Sequence, residues 1–472
     1  MKSYFAIANK TIAMFIFVTF PLLFFSGCKV GHNYHRPNIP LPDKFAQQCQ
    51  ASDKADLANW WTFFQDPYLN TLIEKALANN YEMRIAIEKI KEMRALYRIQ
   101  NAKLFPEVGA TADISRNNLS NKVLLDSYLP KTHFDYFQFG FDAIWELDFW
   151  GKQAMARGAA YDEYLAGIES MRDVYIMLLG DVARTYVDIR RLQKKIDLLQ
   201  QQVDINTKLL FLTKDRLQSG IASEIPDVEQ LAELDESKSQ LVLLQTSFKQ
   251  SVNRLAVLLG ENPEQFVLQP GEHKVPQSNK PLGIGLPSDL LRRRPDIRKA
   301  ESLLAASVEY VGQAVADWFP SFSLLGSAHT QVNKIPNLFT KGSITWSIGP
   351  SVSVPILTFG RIQFNVQAKK SAQQQALLAY GQSIVAALGD VENWLVSYFN
   401  EKDRKRILEE KLSAATRERD LVDSLFQSGL DNQTQYLLAE KNRITIELEL
   451  TGVEQSVSTS LISVYKSLGG GW

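Results

Sequence analysis

The sequence predicts an α+β membrane protein built as an internally duplicated unit of strand, strand, long helix and return helix. Three observations lead there. From Phe137 to Phe149 every second residue is apolar (Phe137, Phe139, Phe141, Ala143, Trp145, Leu147, Phe149), with polar or small residues between them except Ile144. That is the period of a strand with one greasy and one wet face. Beyond Gly151 the period changes. Apolar positions then fall alternately four and three apart, at Met171, Tyr175, Leu178, Val182, Thr185, Ile189, Leu192, Ile196, Leu199 and Val203, the heptad of a helix lying on other helices. Third, Gly151, Gly180-Asp181-Val182, Gln218-Ser219-Gly220 and Leu259-Gly260 recur as Gly360, Gly389-Asp390-Val391, Gln427-Ser428-Gly429 and Leu468-Gly469, at one offset of 209 residues, as from 220 to 429. Such self-similarity marks an internal duplication.

The N-terminus carries Lys2 and Lys10, an apolar run from Thr11 to Phe25, and then Ser26-Gly27-Cys28, the plan of a secretory signal. A cysteine directly after Ser-Gly resembles a bacterial lipobox, in which Cys28 becomes the lipidated first residue of the mature chain. Lys29 follows it, where an aspartate would favour retention in the inner membrane. The alternative is an uncleaved anchor helix, which would prefer about 20 apolar residues. Cys49 is the only other cysteine, so no disulfide framework is expected. The 52 basic residues balance 52 acidic ones, which argues against a nucleic-acid binder. A mean hydropathy of −0.16 excludes a multi-span helical membrane protein.

In chain order, Pro37, Pro40 and Pro42 keep the first mature segment extended. Trp60-Trp61 through Asp66-Pro67 then leads into an amphipathic helix from Tyr68 to about Leu104, closed by Phe105-Pro106. A strand follows with Val108, Ala110, Ala112 and Ile114 on one face, then a polar loop from Asn117 to Lys131 and the Phe134 strand. The long helix between Gly151 and Gly220 meets no proline, so it spans roughly 100 Å at about 1.5 Å per residue, more than a compact domain accommodates. A return helix from Pro226 to Leu259 precedes an irregular stretch with Pro263, Pro270, Pro276, Pro281 and Pro287.

The second half repeats this order. Pro295 to Asp317 reads as a helix ending in Phe319-Pro320. Phe322, Leu324, Gly326 and Ala328 lie on one face of a strand, and Ile344, Trp346, Ile348, Pro350, Val352, Val354 and Ile356 on one face of its partner. Before the second strand of each half the offset is 214, as from Pro106 to Pro320. The five-residue difference from 209 therefore belongs to the hairpin loop, where length varies most easily.

Each half supplies two strands, so one chain supplies four. An open four-stranded sheet in a bilayer leaves two edges unpaired, at several kcal/mol per backbone group. Four strands cannot close alone, because small membrane barrels need eight or more. The chain must share one barrel with other copies. Three chains would give twelve strands, which at about 4.8 Å spacing and about 40° tilt enclose roughly 24 Å, wide enough for an aqueous pore that the helices continue through the periplasm. The competing soluble reading, a β-sandwich on a coiled coil, leaves the long rod without purpose.

These residues resemble the TolC-type outer-membrane efflux channels, in particular the NodT or OprM-like lipoprotein branch that serves RND-type tripartite systems. The resemblance spans nearly the whole mature chain. It rests on Cys28-Lys29-Val30-Gly31 with Tyr34 and Arg36-Pro37, on Trp60-Trp61 through Asp66-Pro67, on Gly285-Leu286-Pro287-Ser288-Asp289-Leu290-Leu291-Arg292-Arg293-Arg294-Pro295-Asp296-Ile297-Arg298, on Phe319-Pro320, and on the final Leu468-Gly469-Gly470-Gly471-Trp472. It implies a homotrimer, a twelve-stranded transmembrane β-barrel continued by a twelve-helix periplasmic barrel, a lipid anchor, and docking to a periplasmic adaptor and an RND-type inner-membrane transporter. The chain then divides into a signal peptide (1–27), an N-terminal equatorial segment (28–67), a first repeat (68–260), a Pro-rich equatorial linker (261–287) and a second repeat with C-terminal equatorial residues (288–472).

The same resemblance points to the two helix reversals as the adaptor-contacting periplasmic tip, with Arg216, Gly220, Ser223, Asp227, Gly429 and Asp431 its candidate residues. The glycines also suit a left-handed helix cap, and Asp227 suits the first turn of a helix. Pro226 makes the first tip one residue longer than the family spacing. The acidic pore residue expected after the second glycine falls on Leu438, or on Ala439 with one extra residue. Asp431, Gln435, Leu438 and Glu440 are accordingly the candidates for the constriction, acidic or hydrophobic. Trp145, Trp150 and Trp346 suit an aromatic girdle, and Lys152 and Arg361 follow the strand-ending glycines where headgroups would lie. The run Arg292 to Arg294 reads as a solvated or belt-paired cluster. His32, His35, His133, His273 and His329 are scattered without metal-ligand spacing, and no phosphate loop or nucleophile elbow occurs, so neither enzyme activity nor a cofactor is expected. Two other readings are a type I protein-secretion duct and a non-conducting strut that bridges the envelope.

Overall fold

The structure, a computed structural model, describes residues 29–46, 57–118 and 133–472. The expected signal segment, Cys28, Cys49 and the first hairpin loop lie outside the described residues. In order come α1 (Pro67–Asn79), α2 (Tyr81–Ala102), β1 (Glu107–Asn118), β2 (His133–Leu147), α3 (Lys152–Gln218), α4 (Ile225–Leu258), α5 (Leu290–Arg293), α6 (Pro295–Ala316), β3 (Ser321–Val332), β4 (Ile344–Ser353), α7 (Arg361–Gln427) and α8 (Gln433–Ser467). The two long helices, α3 and α7, are each 67 residues. No helix of the described residues is long and apolar enough to cross a membrane.

By spatial contact the chain forms two units, and each draws on both sequence repeats. The first (Met1–Pro37, Ile90–Gly167, Ala300–Tyr380) holds the sheet, in the antiparallel order β1-β2-β3-β4. Its register puts all four apolar rows on one face. Val108 pairs with Ala143, Ala110 with Phe141 and Ile114 with Phe137; Phe141 pairs in turn with Ala328, Trp145 with Leu324, Ala328 with Trp346 and Gly326 with Ile348. Because opposed residues share a face, the other face collects Thr111, Asp113, Gln138, Asp142, Ser327, His329, Gln331, Thr345 and Ser347. The apolar exceptions there, Ile144 and Leu325, sit opposite each other. The duplication extends to register: Glu107 pairs with Ile144 as Ser321 pairs with Ser353, offsets of 214 on one strand and 209 on the other. The five-residue difference therefore does fall between the strands of the hairpin. β4 is shorter than its alternation predicts, ending at Ser353 rather than Ile356, just before Pro355, which has no N–H to give a ladder.

The second unit (Asn38–Lys89, Ile168–Lys299, Gly381–Trp472) is helical. The heptad positions of α3 form its core seam: Leu178, Val182, Thr185, Ile189, Leu192, Leu199 and Val203 are buried. Trp60, 1% exposed, stacks on Tyr465 with ring centroids 5.7 Å apart.

The single helix expected from Tyr68 to Leu104 is broken at Asn80. There ψ swings to 130°, the side-chain Oδ1 accepts from the N–H of Met83 at 3.0 Å, and Nδ2 donates to the Leu258 carbonyl at 2.9 Å. One side chain thus starts α2 and closes α4. The second repeat uses Arg294 at the equivalent place. Its ψ is 119°, between α5 and α6, and its Nη1 donates to the Ser467 carbonyl at the end of α8, at 3.0 Å.

Candidate functional site: helix tips, sheet rim and N-terminal staple

Both long helices end in the same cap. After α3, Gly220 takes φ +73°, its N–H donates to Leu217 O at 3.0 Å and that of Ile221 to Arg216 O at 2.9 Å. After α7, Gly429 takes φ +73°, its N–H donates to Phe426 O at 3.0 Å and that of Leu430 to Leu425 O at 2.9 Å. This double bond satisfies the last carbonyls of a helix and needs a left-handed residue, hence glycine. The return helices start differently. α4 carries Pro226 and Asp227 in its first turn, with Glu224 giving no side-chain cap, whereas Asn432 caps α8 by accepting from Gln435 N at 3.1 Å. The two reversals touch through Arg216, whose Nη2 donates to Thr434 Oγ1 at 3.1 Å. Ser223 is exposed, as are the apolar side chains of Ile221, Ile225, Val228 and Leu430.

The four constriction candidates do not lie together. Gln435 and Leu438 are exposed and continue with Asn442, Thr445 and Glu449 as one stripe along α8, the three-and-four spacing of a helix face. Glu440 points elsewhere. It is paired with Arg443 at 2.7 Å and lies 3.5 Å from Arg419, and the bond from Arg443 holds its carboxyl below the usual range. Asp431 turns to its own loop and accepts from Asn432 N at 2.7 Å.

In the sheet unit, Trp145 Nε1 donates to Leu104 O at 3.0 Å and Trp150 Nε1 to Pro320 O at 2.7 Å, tying the feet of the strands to the preceding helices. Lys152 pairs with Asp317 at 2.7 Å, while Trp346 is 74% exposed and Arg361 is exposed. On the polar face Thr111 Oγ1 donates to Asp142 Oδ2 at 2.9 Å, and His329 Nε2 lies 3.2 Å from Asp142 Oδ1.

The residues just after Cys28 are stapled to the same unit. Val30 N–H donates to Trp150 O at 3.1 Å, Lys29 pairs with Glu309 at 2.7 Å, and both Tyr34 and Arg36 bond Glu301. Beside this staple, burial and the nearby Glu309 push the Asp162 carboxyl from 3.8 up to about 6, against a smaller opposing pull from Lys29. A raised folded-state pKa means that ionisation weakens the fold, with the loss growing as pH rises from about 4 to 6 and constant above. Asp162→Asn is therefore expected to melt later than the parent at pH 7.5, by about 1 kcal/mol after allowing for its partial exposure, and level with it at pH 4. Equal midpoints at both pH values would contradict this.

Two features escape sequence reasoning: the burial of Arg294 and a cleft around Arg190, both set by residues distant in the chain. Among the described residues no group of three or more His, Cys, Asp or Glu side chains could hold a metal ion.

The chain matches the family described as outer membrane efflux protein over residues 72–261 and 286–470. It is 31% identical over 476 residues to the solvent efflux pump outer membrane protein SrpC of Pseudomonas putida, covering 96% of this chain and 97% of that protein. It is 29% identical over 451 residues to the cation efflux system protein CusC of Escherichia coli O6:H1, with 95% and 96% covered. The solved outer-membrane channel OprN superposes with a TM-score of 0.82 at 27% identity, over 94% of this chain and all of that one. Matched in both repeats and along almost its entire length, this TolC-like chain belongs to the outer membrane efflux protein family.

Proposed function

We infer that this outer membrane efflux protein is the passive exit duct of a tripartite pump, and that three copies complete its barrel. The observation that carries the reading is the sheet: one continuous apolar face, one polar face, and two outer strands, β1 and β4, that among the described residues pair on one side only. Such edges in hydrocarbon require partner strands, and three sheets of four make a closed cylinder with a polar lumen. Cys28 is the proposed lipid attachment point, Trp145, Trp150 and Trp346 the girdle, and Lys152 and Arg361 the headgroup contacts. Most of the helical mass then stands in the periplasm. The tip residues Arg216, Gly220, Ser223, Asp227, Gly429 and Asp431 meet a periplasmic adaptor coupled to an inner-membrane transporter of RND type. The exposed Gln435–Leu438 stripe suits a constriction better than Glu440, whose charge is already paired. SrpC is named for solvents and CusC for cations, yet this chain matches both to a similar degree, which supports leaving cargo choice to the pump.

Protein purified in mild detergent should run as a trimer and conduct ions across planar bilayers; a monomer that passes no current would rule the reading out. Gly220→Val with Gly429→Val separates duct from strut. An added Cβ meets nothing within 4 Å at either position, so the cost is backbone strain of about 1–2 kcal/mol per site, confined to the tips. Assembly should persist while export of pump substrates falls. Unchanged export would argue against tip docking.

A further inference from the structure

The helical unit holds a cleft of about 620 Å³ between the start of α1, the middle of α3 and the 269–276 segment. We propose that it binds a small oxyanion, a carboxylate or phosphate group, with the Arg190 guanidinium as anchor. Arg190 is only 4% exposed. Its Nε donates to Tyr186 Oη at 3.0 Å and its Nη1 to Gln193 Oε1 at 2.9 Å. Neither partner is charged, and among the described residues Arg190 has no ion pair and Nη2 no protein acceptor.

Both acids on the cleft wall are already committed, and Glu272 pairs with Lys274 at 2.7 Å. Asp66 Oδ1 accepts from the N–H groups of Tyr68 and Leu69, and Oδ2 accepts from Tyr186 Oη at 2.6 Å. A buried guanidinium without a counter-charge is costly, and the same unit shows the usual remedy, since the equally hidden Arg294 is met by two carboxylates.

Arg190 also faces open space. Nη2 shares the cleft wall with Gly271, where an added Cβ would lie 2.5 Å from it. Tyr68 Oη, on the same wall, accepts from Gln269 N at 3.2 Å and keeps its own proton to donate. A planar fork with a hydroxyl donor nearby matches an oxyanion rather than a spherical halide.

The test titrates inorganic phosphate and, separately, succinate into the detergent-solubilised full chain at constant ionic strength, chloride balancing, with thermal midpoint and equilibrium dialysis as readouts. The two arms tell whether the site prefers phosphate or carboxylate. Saturable binding of at least one is expected, with a rise of about 2–3 °C at hundredfold excess over Kd, lost in Arg190→Gln and weakened about tenfold in Tyr68→Phe. Should Arg190→Gln fail to fold, Gly271→Ala decides, because it keeps the charge but crowds Nη2 and should abolish the shift. No saturable response to either anion, or an equal response in Gly271→Ala and Tyr68→Phe, overturns the proposal.

Discussion

Arg294→Ala is expected to destabilise the folded chain by about 2–4 kcal/mol, from buried carbonyls left without a donor and the lost packing of its stem. With a 472-residue chain that corresponds to a fall of about 2–4 °C in thermal midpoint, given the unfolding entropy per residue. The size follows from what the side chain does. It is 9% exposed, its Nε and Nη2 clamp Asp296 at 3.0 and 2.6 Å, and Nη2 also reaches Asp390 at 3.2 Å. Its Nη1 meanwhile donates to the Ser467 carbonyl at the end of α8 at 3.0 Å and, more weakly, to the Ala387 carbonyl of α7 at 3.5 Å. Removing it leaves the carbonyls of two buried residues, Ser467 and Ala387, without this donor, whereas the carboxylates, 39% and 53% exposed, recover hydration. Asp390→Asn should therefore cost far less, about 1 kcal/mol or below, as expected for a half-exposed pair. Arg294→Lys keeps the charge but not the fork, so it should fall between the two. Comparable losses for all three substitutions in a melting series would show that the cluster is not organised around the guanidinium.

Much of this architecture is legible in the sequence. A period of two and a heptad each report a single face turned toward one environment, so the strand and helix readings needed only neighbouring residues; both long helices came out at the length set by their flanking glycines. The duplication was legible because the offset is a property of sequence alone, and it carried the pairing register with it. What stayed hidden was non-local. Asn inside a helix is only mildly unfavourable, and the partner that makes Asn80 a break, the Leu258 carbonyl, is 178 positions away. Likewise Arg294 reads as one of three similar arginines; only its neighbours in space separate it from the exposed Arg292. Glu440 is a mixed case: Arg443, one turn on in the same helix, holds it at 2.7 Å and is readable locally, whereas counting from Gly429 cannot show that Arg419, on the preceding helix, stands 3.5 Å away.

The sheet offers the second large effect, at Gly140 in the middle of β2. An ideal Cβ there would stand 2.3 Å from Ala328 O and 2.5 Å from the His329 Cα, both backbone atoms of β3, and 2.3 Å from His329 Cδ2. The imidazole can swing away, but the strand behind it cannot without breaking the ladder that joins the two repeats. Ordinary overpacking costs about 1–3 kcal/mol because side chains give way; here the backbone must, and the β2–β3 seam is where the ladder of the first hairpin meets that of the second. Gly140→Val is accordingly expected to prevent sheet closure, leaving protein that fractionates away from the outer membrane and forms no detergent-stable oligomer. Gly349→Ala, on the same polar face of β4 with nothing within 4 Å of the added carbon, should insert and conduct as the parent does. If Gly140→Val inserts normally as well, strands β2 and β3 are more loosely joined than this register allows, and the proposed shared barrel loses its central seam.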